Sequence, residues 1–248
     1  MTKRSSAIRS FLTTLVMSIV IYLANTLATM LLERISMGVS LPFTAKRIEN
    51  LSSHEAQIAQ SIVKPEEISD RMEHIGGLAR VKEEIRLQIL LPLQHPKLFF
   101  SDRHRIRPPR GVLLYGPPGT GKTMLARAIA AEANVPLFSL TLATLENKWY
   151  GESSKLLSAT FSLARKTQPC VLFFDEIDGM IRMRSEGDQA CVYAFKTEFL
   201  THMDGICKRA DDAVLVIGCT NNANTLDPAV ARRLPVQFKV DLPSNTEL

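Results

Sequence analysis

One eight-residue stretch constrains this chain more than any other: Gly116-Pro117-Pro118-Gly119-Thr120-Gly121-Lys122-Thr123. It meets every fixed position of G-x-x-x-x-G-K-[ST], a pattern whose backbone N–H groups curl around phosphate oxygens where glycine leaves no Cβ in the way. The apolar run Val112-Leu113-Leu114-Tyr115 precedes it, and an Ala-rich run over 124–131 follows. That order is strand, glycine loop, helix, the context in which the motif works. The new helix points its positive end at the same oxygens. Lys122 can reach the β- and γ-phosphates, and the Thr123 hydroxyl can take a place on Mg²⁺. A plain glycine turn between a strand and a helix requires none of this residue-by-residue agreement.

The rest of the chain alternates strand and helix around that unit, which predicts an α/β fold on a parallel sheet. Residues 136–142 alternate apolar and polar like a strand, and Cys170-Val171-Leu172-Phe173-Phe174 is a continuous apolar run suited to burial on both faces. Val214-Leu215-Val216-Ile217 is a second such run. Helices are expected over 79–91, stopped by Pro92, and from about 153 to 166. Val192, Phe195, Phe199 and Met203 recur at helical spacing and read as core. Asp227-Pro228 starts a short helix ending at Arg232-Arg233, with Asp as N-cap and Pro at the first position. Upstream, Ser52-Ser53-His54-Glu55 has the form of a capping box, with Ile58 and Ile62 on one face of the helix it opens. Residues 33–70 read as a linker and 71–248 as the α/β domain.

Composition narrows the function classes. The chain is 46% hydrophobic, enough for a sizeable core, and its net charge of +5 comes from interspersed Lys/Arg and Asp/Glu. That pattern describes a mixed solvated surface rather than a nucleic-acid footprint. The cysteines Cys170, Cys191, Cys207 and Cys219 show neither C-x-x-C pairing nor His at zinc spacing, so they read as thiols, with Cys170 and Cys219 buried in or beside strands. The five histidines are scattered and suggest no metal site.

The N-terminus differs in kind. Residues 1–10 carry Lys3, Arg4 and Arg9 and no acid, and 11–32 contain no charged residue. A run of that length can cross a bilayer as a helix. It is longer than a signal-peptide core and lacks a small-x-small cleavage site, while the basic, acid-free start also fits a transit peptide. The favoured reading is an uncleaved membrane anchor. Lys3, Arg4 and Arg9 before it balance Arg34, Lys46 and Arg47 after it, so charge leaves the orientation open.

Phosphoryl transfer to water needs held phosphates, a metal, an oriented water and neutralised charge in the transition state. Gly119, Gly121, Lys122 and Thr123 supply the first. Asp175 ends its apolar strand and suits Mg²⁺, and Glu176 beside it can orient or deprotonate the attacking water. Asn221, after another buried strand, can bridge that water to the γ-phosphate. No arginine close to the loop in sequence offers an internal finger. Arg232 and Arg233 are either two solvated charges at a helix end or groups that reach a neighbouring subunit.

With GPPGTGKT at 116–123, FFDEID at 173–178, Thr220-Asn221 and Arg232-Arg233 in order, the sequence resembles the AAA ATPases. KWYGES at 148–153, RRLP at 232–235 and IGGL at 75–78 are similar to the membrane-anchored branch of the mitochondrial outer membrane and peroxisomes, close to the meiotic clade. The resemblance covers about residues 55–248. It implies a P-loop AAA large subdomain and ATP hydrolysis with Mg²⁺ on Thr123 and Asp175. Nucleotide contacts would come from Gly76, Gly77, Pro118, Gly119, Thr120, Gly121, Lys122, Thr123, Met124 and Asp175. It also implies a homo-hexamer whose pore loop, Lys148, Trp149, Tyr150 and Gly151, grips an extended polypeptide, with 185–190 as a second pore loop. The implied work is extraction of mislocalised tail-anchored proteins from the mitochondrial outer membrane or the peroxisomal membrane, with the ATPase domain in the cytosol. Alternatives are a microtubule-severing or membrane-scission machine, a membrane-bound protease cut short of its metal site, and a regulatory chain that does not hydrolyse. His74 stands where the family usually has Asp, and Asn222 where Arg is common. The sequence stops at Leu248, so the expectation is a large subdomain truncated before the helical lid.

Overall fold

The computed structural model describes residues 51–100, 108–141, 153–181, 190–209 and 212–242. The anchor expected at 11–32, the pore loop at 148–151 and all but the last residue of the second loop at 185–190 lie outside the described residues. Among the described residues no helix is long and apolar enough to cross a membrane.

Six strands form one sheet. They are β1 (Ile62–Val63), β2 (Gly111–Tyr115), β3 (Leu137–Leu140), β4 (Cys170–Phe174), β5 (Val214–Thr220) and β6 (Val236–Lys239), in the order β1-β3-β4-β5-β2-β6. Strands β3, β4, β5, β2 and β6 are mutually parallel, as the alternation of strand and helix predicts. The expectation of a purely parallel sheet needs correction, because β1 pairs antiparallel with β3 through Ile62↔Phe138 and Val63↔Leu137. Two residues in a polar stretch carry no strand signal of their own. They pair because they close the otherwise open edge of β3.

Both faces of the sheet are covered, so its central strands are apolar throughout. Cys170, Leu172 and Phe174 of β4 point to one face, and Val171 and Phe173 to the other. The first face packs under α6 (Ser153–Thr167) and α8 (Ala190–Lys208), where Phe161, Phe174 and Phe199 meet with ring centroids 5.3 to 6.3 Å apart. Phe195, Phe199 and Met203 are buried there as their spacing predicts. The second face packs under α5 (Lys122–Ala133) and α2 (Ala79–Ile85).

Two helix boundaries depart from expectation. The run that starts at Ala79 does not stop at Pro92: it widens into a π-turn over Arg86–Leu90 and resumes as α3 (Leu91–Gln94), before the short α4 (Pro96–Phe99). The carbonyl that the Pro92 ring would strike, four residues back at Gln88, lies in the widened turn, which relieves the clash. The N-terminal helix α1 (Ser53–Ala59) ends before Ile62, so Ile58 and Ile62 are not on one helix. Both still pack on the first core face. The capping box forms as expected: Glu55 N donates to Ser52 Oγ at 3.2 Å and Ser52 N to Glu55 Oε2 at 2.8 Å.

Candidate functional site

Parallel strands deliver their carboxyl ends to one edge of the sheet. Tyr115 of β2 lies beside Thr220 of β5, and Phe174 of β4 beside Gly218. The segments that follow these strands therefore converge: the loop 116–121, Asp175-Glu176 and Asn221. They line a cleft of about 450 Å³ with Pro118, Gly119, Gly121, Lys122, Thr123, Met124, Cys219 and Thr220. This is the position where open α/β sheets bind ligands.

The loop is built for close approach. Gly119 and Gly121 have φ of 77° and 87°, which a side chain tolerates poorly, and an added Cβ on either would meet no protein atom within 4 Å. Gly121 is also the N-cap of α5, so the first free N–H groups of that helix face the loop. Lys122 is buried, and its Nζ donates to the carbonyls of Gly116 at 2.9 Å and Pro117 at 2.7 Å. The ammonium is thus folded into the mouth of the loop, where phosphate oxygens would find it.

Thr123 Oγ1 donates to Asp175 Oδ2 at 3.0 Å, across 52 residues of sequence. The other oxygen, Asp175 Oδ1, accepts from Glu176 N at 3.0 Å, which fixes the carboxylate plane. Glu176 has φ 51° and caps the short α7 (Ile177–Met180). The left-handed region costs a non-glycine residue about 1 kcal/mol or more, and such positions cluster at working sites. Here it leaves the Glu176 side chain exposed and lining the cleft. Asn221 is exposed on the same wall, and the buried Thr220 accepts from Asn222 N at 3.0 Å, which closes the turn after β5.

This donor set fits a triphosphate with magnesium. A hydroxyl and a carboxylate within hydrogen-bond distance are hard oxygen ligands of the kind Mg²⁺ takes. The glycine loop and Lys122 line the same cleft. Cys219 is a wall residue that sequence reasoning did not assign to the site. Its thiol is buried, and burial followed by the Asp175 charge pushes its pKa well up, so it faces the cleft as a neutral, small apolar group.

Other expected site residues do not line this cleft. Thr120 is buried and supports the loop from within, donating to the Pro117 carbonyl at 3.0 Å. Gly76 and Gly77 do not line the cleft; Gly77 turns left-handed at φ 63° shortly before α2. Arg232 and Arg233 follow α9 (Pro228–Ala231) and precede β6, so they stand at the amino edge of the sheet. The Arg233 carbonyl abuts Gly111, the first residue of β2. That is a full strand from the loop, roughly 15 Å at the usual rise per residue. Arg232 is exposed, whereas Arg233 is held by Asp204 of α8 in a two-pronged pair, Nε to Oδ1 and Nη2 to Oδ2, each 3.0 Å. This hydrogen-bonded pairing lowers the Asp204 pKa. No local pattern marks Asp204; it lies one residue past the apolar Met203, at a helix position read for its hydrophobic neighbours.

Comparison with known proteins agrees with this geometry. Residues 112–242 match the model of the "ATPase family associated with various cellular activities (AAA)". An "Outer mitochondrial transmembrane helix translocase" of Danio rerio is 41% identical over 195 residues, covering 79% of this chain and 51% of that protein. A "Mitochondrial sorting homolog" of Caenorhabditis elegans is 41% identical over 194 residues, covering 78% and 56%. The chain thus spans about half the length of these relatives. The crystal structure of the FIGL-1 AAA domain superposes with a TM-score of 0.68 at 33% identity, over 82% of this chain and 66% of that one. Loop, strand-end acids, fold and sequence agree, and the chain belongs to the AAA ATPase family.

Proposed function

We propose that this chain binds ATP with Mg²⁺ and hydrolyses it, and that as a hexamer it draws tail-anchored proteins out of the mitochondrial outer membrane. The observation that carries the catalytic half is the 3.0 Å hydrogen bond between Thr123 and Asp175, which joins the phosphate loop to the strand-end acids. Thr123 and Asp175 would hold the magnesium, which would supply charge neutralisation for the phosphoryl group being transferred. The protein's own groups do the rest. The glycine loop and Lys122 hold the phosphates, Glu176 orients the attacking water and takes its proton, and Asn221 fixes that water against the γ-phosphate. Arg232 and Arg233, remote from the loop of their own chain, belong to the site of the next subunit, which makes turnover depend on the ring.

The membrane half is supported by the relatives' names and by the uncharged run at 11–32. Trp149 and Tyr150 serve as the flat, sequence-tolerant grip on the polypeptide. Two measurements test the whole reading. Glu176→Gln is expected to retain ATP while slowing phosphate release by roughly 10²–10³-fold; undiminished release removes Glu176 from the reaction. Trp149→Ala with Tyr150→Ala is expected to spare hydrolysis and stop extraction of a tail-anchored protein from vesicles; continued extraction removes the grip.

A further inference from the structure

Helix α1 and strand β1 are too short to hold themselves in place. Seven residues are below the length at which an isolated helix persists in water, and two residues make a minimal strand. Their attachment to the domain rests on tertiary contacts: Ile62 and Val63 pair with β3, Leu51, Ala59 and Ile62 pack on the first core face, and two residues of α1 are buried outright. Ile58 is buried in the first core face. Glu55 is the other, a carboxylate only 4% exposed.

A helix cap alone does not require burial. Glu55 Oε2 completes the capping box, but Oε1 turns the other way and accepts from Ser162 Oγ at 2.8 Å and Lys166 Nζ at 2.7 Å. Ser162 and Lys166 are one turn apart on α6, so a single carboxylate closes the start of α1 and ties it to a second helix. Burial alone would raise the Glu55 pKa, but Lys166, the Ser52 N–H and the Ser162 hydroxyl outweigh it and hold the group at about 2. His54, Lys155 and Glu198 line the cleft beside the pair. The strap formed by α1 and β1 also reaches the site's strands. β1 pairs with β3, and the β3 carbonyl of Leu140 accepts from Asp175 N at 3.0 Å.

We propose that Glu55 is a positioning residue: it latches the chain preceding the ATPase domain onto α6, and this latch is needed for work on membrane-embedded substrates but not for ATP turnover. The inference rests on the extraction reading above. The chain upstream of the strap leads to the expected anchor at 11–32, so any load passed along the chain between anchor and ATPase domain goes through the strap. With the latch open, that load falls on an unfastened strap, while the phosphate loop and the strand-end acids still turn over nucleotide.

The test uses the full chain in phosphatidylcholine/phosphatidylethanolamine vesicles, as wild type, Glu55→Gln, and Lys166→Ala, which opens the latch from α6 and leaves the Ser52–Glu55 capping box in place. Amide exchange over 53–63 reads the latch directly and does not depend on the extraction reading. Leaving Lys166 without its buried partner is expected to speed exchange there by roughly a hundredfold in Glu55→Gln, with 122–133 unchanged. Unchanged exchange at 53–63 overturns the latch. Glu55→Gln is expected to keep phosphate release within about twofold, keep unfolding of a soluble substrate domain, and lose extraction of a single-span substrate by about tenfold or more, with Lys166→Ala following it in all three. Extraction that survives Glu55→Gln overturns the proposal, as does a parallel fall in all three activities, which would mark Glu55 as a general stabiliser. A wild type that releases phosphate but extracts nothing overturns the extraction reading itself, and the functional half of this proposal with it.

Discussion

The two edges of the sheet are finished differently. At the carboxyl edge the ends of β2, β4 and β5 bring loop, acids and Asn221 into one cleft, with Thr123 and Asp175 already in contact. At the amino edge Arg232 projects into solvent, and Arg233 is braced by Asp204 and by the Ala229 carbonyl at 3.0 Å, about a strand's length from that cleft. Arg233 is thus paired within its own chain, while the neighbouring Arg232 is exposed, the arrangement on which the proposed contact with a second subunit rests. One edge gathers a nucleotide site within the chain; the other, on the proposed reading, acts only against a second copy.

The largest expected effect breaks the self-contained edge. Lys122→Ala removes the buried ammonium and is expected to abolish ATP binding, a loss beyond about 10³-fold in affinity, read by nucleotide titration on the isolated chain. The next separates the edges. Arg232→Ala is expected to leave nucleotide affinity of the isolated chain unchanged and to lower turnover in the assembled ring by about 10²–10³-fold, the scale of an arginine supplied in trans. Doping Arg232→Ala chains into a ring of Lys122→Ala chains sharpens the point. If the arginine serves its neighbour, a mixed ring keeps only sites whose own Lys122 and whose neighbour's Arg232 are both intact. Activity that simply follows the fraction of intact Lys122 would assign Arg232 no role in trans.

The same contrast explains what could be read in advance. The carboxyl edge was legible because each part is a contiguous signal: the glycine loop between an apolar strand and a helix, and Asp175-Glu176 at the end of a five-residue buried strand. Burial on both faces makes such strands uniformly apolar, so their ends are marked wherever a charge appears. Strand β1 was not legible, since two residues have no period. The π-turn before Pro92 was not legible either, because proline announces only that an ordinary helix cannot continue. Asp204 and the Lys166 partner of Glu55 were hidden for a third reason. They pair across 29 and 111 residues through a packing of helices that no local pattern specifies. The expected capping box at Ser52 was correct, but its Glu55 has a second set of partners that only the fold supplies.

Acid provides a smaller and graded test of that second set. The Glu55 pKa falls from 4.5 to about 2 on folding, so the stabilisation it confers is fully present above pH 4.5 and is lost as pH drops through 2. A difference of this size is worth at most about 3 kcal/mol. The expectation is that 53–63 lose exchange protection between pH 4.5 and 2 before the sheet unfolds, and that Glu55→Gln removes this pH dependence. A strap equally protected at pH 2 and pH 5 would mean that Ile58 and the β1–β3 pairing hold it without Glu55.

The smallest effect belongs to Asp204. Its pair with Arg233 has ideal two-pronged geometry, but the Asp204 side chain is 44% exposed and Arg233 27%. Solvent and salt therefore screen the attraction, and Asp204→Asn is expected to cost about 1 kcal/mol. For a domain of this size that is a fall of about 2–4 °C in Tm, and it should shrink in 1 M salt. The asparagine keeps the size of the side chain and can still accept one hydrogen bond, while the Ala229 carbonyl continues to hold Nη1. Stability should therefore change little, and any larger loss must be sought in turnover. If Asp204→Asn lowers ring turnover far more than 1 kcal/mol accounts for, with nucleotide affinity of the single chain intact, the brace serves the neighbour's site. If turnover simply follows stability, Arg233 is a structural tie and Arg232 carries the trans contact alone.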